Sequence, residues 1–184
     1  VIVGGGAAGI ELAFAFRTRF GSAACVTLIS KRPFEADAAL SAAAKAIRRV
    51  LVDRGITCIE SQAVVEATED SVVLSDGRSV AADVICAATS VHPPDWILDS
   101  ALPTEQGFLA VNDFLQVQNQ SSLFAAGDIV SLASPRGRSG VMAVRAGQYL
   151  ADGIWKRLQG TMPHRFKPQQ RWLTLLNLGN GSAI

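Results

Sequence analysis

The chain predicts an α/β fold, a Rossmann-like three-layer parallel sheet with an antiparallel β-meander, and three stretches carry that reading. The first is Val1-Ile2-Val3-Gly4-Gly5-Gly6-Ala7-Ala8-Gly9-Ile10-Glu11-Leu12-Ala13, where three β-preferring residues lead through glycines into a helix. The second is Val26-Thr27-Leu28-Ile29, a further buried strand about 20 residues on, the distance a βαβ dinucleotide fingerprint expects. The third is a change to period two from Ala63, with Asp76-Gly77 as a hairpin signal.

Each glycine of the first stretch answers a mechanical demand. Gly4 allows the tight turn at the strand's end, Gly6 lets a phosphate approach without meeting a Cβ, and Gly9 lets the helix lie close to its strand. The amides of the first helical turn, at Ala7 and Ala8, then face the anion with the helix dipole behind them. A turn that merely packs two elements does not require small residues at all three positions. Glu11 is expected in the first turn, where the dipole favours its charge or where it sits near the reactive end of a bound nicotinamide or against a flavin.

Beyond the loop, Leu12, Phe16 and Phe20 form one apolar stripe and Ile10 and Phe14 another, implying cover on two sides of the helix. The second strand is followed by Ser30, Lys31 and Arg32. An NAD site usually presents an acid there to the adenosine ribose, and an NADP site presents cations to the extra phosphate. The composition favours NADP, with Glu35 or Asp37 swinging back to the ribose as the alternative. After Pro33 a helix is expected over 36–54, stopped by Gly55, and Ile56-Thr57-Cys58-Ile59 completes βαβαβ. Val64–Thr68, Ser71–Leu74 and Ser79-Val80 are the meander. Asp83–Thr89 returns as a buried strand ending in small residues, where a ligand has room to approach Thr89.

Val91-His92-Pro93-Pro94-Asp95 reads as a linker, which places a domain boundary after residue 90. The strand Leu123–Ala126 is expected to deliver Gly127-Asp128 at its C-terminal edge. Arg136–Gly140 is a flexible loop, Val141–Leu158 a helix with Met142, Ala146, Tyr149 and Gly153 on one side, and 171–181 a strand entering a turn.

The bulk properties exclude several function classes. A chain of 184 residues is long enough for one ordinary domain or for one domain plus a fragment of another, and a net charge of +1 argues against nucleic acid as partner. With 49% hydrophobic and 18% charged residues, some surface is expected to be covered. Cys25, Cys58 and Cys86 are widely spaced and read as small buried hydrophobes, and His92 and His164 alone build no metal site. The longest apolar run is interrupted by Glu11 and closed by Arg17 and Arg19, too soon for a membrane-spanning helix.

With these residues placed, the chain resembles the pyridine nucleotide-disulfide oxidoreductase family of two-dinucleotide flavoproteins. Within it the chain is similar to the type II NADH dehydrogenase branch and to the NADH dehydrogenase-like proteins sometimes fused to selenide, water dikinase. The resemblance rests on the glycine loop followed by Glu11, the meander before Ala87-Ala88-Thr89, Phe124-Ala125-Ala126-Gly127-Asp128, and the closing Leu178-Gly179-Asn180-Gly181-Ser182-Ala183-Ile184. It implies that 1–90 is an NAD(P)H-binding domain and 91–184 the C-terminal half of an FAD-binding domain. Gly4, Gly6, Ala7, Ala8 and Gly9 would hold the pyrophosphate of NAD(P)H, with Ser30, Lys31 and Arg32 at the ribose and Glu11 and Thr89 near the nicotinamide. Gly127 and Asp128 would meet FAD, as would Ala143 in the helix whose N-terminus aims at the flavin. Ser90 stands where many relatives carry glycine, which implies a tighter loop. The family's first FAD half is expected upstream of residue 1, and without it the chain is expected to hold FAD poorly.

The resemblance further implies hydride transfer from NAD(P)H to flavin by stacking, with no catalytic side chain, and electron exit to a quinone or other small acceptor. It places the protein in the cytoplasm, leaving open peripheral attachment at the inner membrane face and a homodimer. A short-chain dehydrogenase is disfavoured because Tyr149 has Gly153, not lysine, four residues on. A non-catalytic dinucleotide-sensing module is the alternative.

Overall fold

The computed structural model describes residues 1–132, 139–169 and 173–184, and these divide into two compact units, 1–90 with 173–184, and 91–172. The tail at 173–184, which the sequence groups with the second half, packs within the first unit.

The first unit is built on a four-stranded parallel sheet. Strands β1 (Ile2–Val3), β2 (Thr27–Ser30) and β3 (Thr57–Glu60) lie in the order β3-β2-β1, and β7 (Cys86–Ala87) pairs with the other side of β1. Helices α1 (Ala7–Phe20) and α2 (Ala44–Asp53) cover one face. There Ile10, Ala13 and Phe14 of α1 and Ile47 and Leu51 of α2 pack with Ile2 and Leu28 in one buried cluster. The meander β4 (Val64–Ala67), β5 (Ser71–Leu74) and β6 (Ser79–Ala81) is antiparallel throughout, and its Val72 and Leu74 bury Ile29 on the opposite face. The period of two that opens at Ala63 thus produces a second layer whose inward residues seal the parallel sheet.

The tail closes this unit as a small hairpin. Leu176 and Ile184 exchange backbone hydrogen bonds of 2.8 and 3.0 Å, and Leu176 and Leu178 are buried beside Phe14. Arg54 donates to the carbonyl of Leu178 and lies 5.3 Å from the Phe14 ring centre.

In the second unit, α3 (Asp95–Asp99) precedes the hairpin β8 (Thr104–Glu105) and β9 (Phe108–Ala110), and β10 (Val130–Ser131) pairs parallel with β9. Helix α4 (Gly140–Leu158) is capped by Ser139, whose hydroxyl accepts the amide of Met142 at 3.3 Å. Its Met142, Ala146 and Gly153 are buried, the side expected from their spacing.

Several elements depart from expectation. The helix expected over 36–54 starts only at Ala44, because 34–43 folds as two 3-10 turns. The Asp37 carboxylate accepts the amide of Ala39 at 2.8 Å, a local turn that competes with helix. Leu123–Ala126 makes a single bridge, Gln116 to Phe124, and no strand. Its partner segment turns at Leu115 (φ 55°), which breaks the ladder. The strand expected over 83–89 is confined to Cys86–Ala87 at the sheet's edge and is only partly covered. Cys25 is exposed and Cys58 and Cys86 are half-buried, so the expected burial fails for all three. Phe20 is 50% exposed, which leaves the end of the Leu12, Phe16 and Phe20 stripe of α1 open. The expected loop at Arg136–Arg138, and Arg171 and Trp172 of the tail, fall outside the described residues.

Candidate dinucleotide site

The ends of β1, β2 and β7 converge on the glycine loop, and the three strands reach it by different contacts. At Gly4, φ is +130° and a built Cβ would lie 2.1 Å from the carbonyl oxygen of Ala88, so β7's end, with Thr89, abuts the loop. At Gly5 a Cβ would lie 2.0 Å from Oγ of Ser30, so β2's end abuts it too. At Gly9 it would lie 1.8 Å from the Gly4 carbonyl oxygen, the close approach that seats α1 on the loop. Because β1 has β2 on one side and β7 on the other, the loop stands where the strand order reverses, the place at which open α/β sheets take ligands.

Gly6 is different. Its backbone, φ −77° and ψ 178°, suits any residue, and a Cβ there would meet nothing within 4 Å. It is the N-cap of α1 yet supplies no capping side chain, although serine or aspartate at that position would satisfy an amide. Among the described residues the amides of Ala7, Ala8 and Gly9 find no acceptor; the first helical bond is Ile10 N–H to Gly6 O, 3.1 Å. Bare amides, the positive end of the helix dipole and open space above Gly6 form a cradle that a Cβ would fill, and a pyrophosphate fits it.

Glu11 requires a correction. Helix α1 begins at Ala7, which puts Glu11 in its second turn, past the point where the dipole matters most. Its carboxylate instead accepts the amide of Asn177 at 2.8 Å and ties α1 to the tail hairpin. Asn177 had no sequence signal, being 166 residues away.

On the β2 side, Ser30 is 5% exposed and donates its hydroxyl to the carbonyl of Arg32 at 2.6 Å, while Lys31 and Arg32 are exposed. Arg48 gathers the neighbouring acids: it is paired with Glu35 and Glu60, and Glu60 also accepts the amide of Phe34 at 2.8 Å. Hydrogen bonding from Arg48 holds the Glu35 carboxyl at about 2 and lowers that of Glu60 as well. This trio, 12 and 13 residues apart, was not read from the sequence. Burial, with the Glu60 charge adding to it, pushes the Cys58 thiol up to about 11, which keeps it protonated and unreactive.

In the second unit, Gly127 (φ +81°) and Asp128 form a 3-10 turn over Gly127–Ile129, not the end of a strand. A Cβ on Gly127 would lie 3.7 Å from that of Ala143, so this turn and the first turn of α4 are neighbours. Asp128 is exposed there, and Gly140 presents no side chain. An exposed carboxylate, which accepts from hydroxyls, beside an uncrowded helix start, whose amides donate to phosphates, suits a nucleotide cofactor such as FAD.

A glycine cradle at the switch point of a parallel sheet is the geometry shared by the class of dinucleotide-binding folds. The chain belongs to the pyridine nucleotide-disulphide oxidoreductase family, whose model matches residues 1–149; the family comprises NAD(P)H-dependent flavin oxidoreductases that use FAD and NAD(P)H. It is 28% identical to ferroptosis suppressor protein 1 of Xenopus tropicalis, over 100% of this chain and 52% of that protein. It is likewise 28% identical to an NADH dehydrogenase-like protein of Mycobacterium tuberculosis, over 100% of this chain and 49% of that one. The chain therefore spans about half the length of these curated relatives. In fold it matches the sulfide:quinone oxidoreductase of Aquifex aeolicus, with TM-score 0.75 and 16% identity over 97% of this chain and 48% of that one. The NAD-dependent persulfide reductase of A. fulgidus gives TM-score 0.74 and 21% identity over 91% and 32%.

Proposed function

We propose that the chain is the NAD(P)H-binding portion of an FAD-dependent oxidoreductase, with 1–90, closed by the tail at 173–184, as the nicotinamide-dinucleotide domain and the remainder from residue 91 contributing the C-terminal half of the FAD domain. The observation that carries this reading is Gly6, a glycine whose missing side chain neither backbone angle nor packing explains. Gly4, Gly6, Ala7, Ala8 and Gly9 hold the pyrophosphate. Ser30, Lys31 and Arg32 lie toward the adenosine ribose, and Thr89 toward the nicotinamide. Gly127, Asp128 and Ala143 meet FAD. Bound together, the two cofactors supply hydride transfer from NAD(P)H to flavin.

The protein's own part is alignment and exclusion of water, and no side chain need move a proton. Electrons pass on to a quinone or another small acceptor. One observation supports that exit: the cysteines of the described residues are all free, so none of them forms a disulfide to take the electrons. The name of the Aquifex aeolicus structure, a sulfide:quinone oxidoreductase, points the same way. No helix of the described residues is long and apolar enough to cross a membrane.

Calorimetric titration of NADH and NADPH into the 184-residue chain, beside a Gly6→Val variant, tests the cradle. At least one dinucleotide should bind the parent chain, and the variant should bind it about a hundredfold more weakly, the effect of losing roughly 2.7 kcal/mol. Equal heats from both proteins would remove the proposal.

A further inference from the structure

We infer that the dinucleotide this chain selects is NADPH, its adenosine 2′-phosphate held by Lys31 and Arg32; the inference rests on the dinucleotide reading above. A site for NADH needs a carboxylate beyond the second strand, free to accept from the ribose hydroxyls. Here the strand ends in Ser30, which is pressed against the glycine loop at Gly5 and turns its hydroxyl onto its own backbone at Arg32. The acid beside it in the sheet is Glu60, the register partner of Ser30 on β3. Glu60 is fully engaged by the amide of Phe34 and by Arg48.

The remaining acids of the loop are engaged in the same way. Glu35 takes two hydrogen bonds from Arg48, and Asp37 takes the amide of Ala39. Swinging Glu35 to the ribose would strip the guanidinium, which also lies 5.5 Å from the Phe34 ring centre, of one of its two carboxylates. The ribose alternative that the sequence left open therefore carries a cost at each candidate acid.

Lys31 and Arg32 stand opposite to this. Both are exposed, directly after a strand end that touches the loop, and neither side chain has an ion pair or hydrogen-bond partner among the described residues. Against ribose hydroxyls two cations gain little, because a carboxylate is what those hydroxyls want. Against a phosphate carrying nearly two charges they make charge-assisted hydrogen bonds, bidentate for the guanidinium.

The test uses the full chain and a binding readout, with NADPH, NADH, adenosine 2′,5′-bisphosphate and AMP as probes. NADPH should bind about tenfold or more tightly than NADH, the worth of one hydrogen bond to a charged group, and the bisphosphate should exceed AMP similarly. The preference should shrink between about 0.01 M and 1 M salt as screening tightens from about 30 Å to 3 Å. Lys31→Ala with Arg32→Ala should weaken NADPH to the level of NADH while leaving NADH within about twofold, with the circular-dichroism spectrum and melting temperature unchanged. NADH binding as tightly as NADPH, or a double variant that loses both equally, would overturn the inference and leave the dinucleotide reading standing. Binding of neither dinucleotide would overturn both.

Discussion

Four glycines in six positions do four different things, and only one of them is explained by something outside the chain. Gly4, Gly5 and Gly9 are glycine because Ala88, Ser30 and the Gly4 carbonyl occupy the space of a side chain. A Gly9→Ala substitution should therefore cost about 1–3 kcal/mol of stability or more, since the obstacle is backbone and cannot yield as a side chain can. Gly6→Ala should leave urea unfolding within about 0.5 kcal/mol of the parent chain while weakening dinucleotide binding. If Gly6→Ala unfolds the protein and Gly9→Ala does not, the assignment of roles in the loop is wrong. Arg48 belongs to the same scale. With the Glu35 carboxyl at about 2 against an ordinary 4.5, and Glu60 lowered too, ionised carboxylates are favoured in the folded state. Their contribution is present above pH 4.5 and is lost as pH falls toward about 2. Glu35 is half exposed, so solvent screens much of its share and Glu60 carries more. Arg48→Met should be less stable than the parent at pH 7, and the difference should fade as the pH is taken down toward about 2. A difference that persists there would mean that packing against Phe34, not charge, is what Arg48 supplies.

At the scale of elements, β1, the glycine loop and α1 were legible because each obeys a local rule of spacing, and so were the meander and α4. What the sequence hid are local side-chain turns that override propensity and places where two distant stretches decide together. The Asp37 side chain diverts 34–43 from helix despite its alanines, and the left-handed turn at Leu115 denies Leu123–Ala126 a ladder. The tail hairpin shows it most clearly. Glu11 holds Asn177, Arg54 holds Leu178, and Gly179 (φ +78°) fits where a Cβ would lie 2.9 Å from the Phe14 carbonyl oxygen. None of these pairs has a sequence signature, which is why Glu11 read as a dipole or cofactor residue. Phe14, fully buried under both the hairpin and Arg54, is the keystone of this packing. Phe14→Ala should lower unfolding free energy by about 3–5 kcal/mol, and Glu11→Gln should do so far less, since an amide oxygen still accepts from Asn177. A loss in Glu11→Gln as large as that in Phe14→Ala, measured by urea unfolding, would shift the weight of the latch from burial to charge.

For the whole molecule, the consequence of two compact units is that ligand and fold should respond together in one of them. Dinucleotide bound at 1–90 stabilises the unit that contains it, by about 2.7 kcal/mol at a hundred times the dissociation constant. Hydrogen exchange should therefore slow across β1, α1, β2 and the tail hairpin, which share one core. Uniform slowing of both units would indicate binding elsewhere. The chain aligns with about half the length of its relatives. The cradle itself can be tested on these residues. The most direct measurement is amide-resolved NMR of the chain during titration with NADPH: the Gly6, Ala7, Ala8 and Gly9 amides should shift first and furthest, with a common saturation curve. Saturable binding that leaves those amides unmoved would contradict the site.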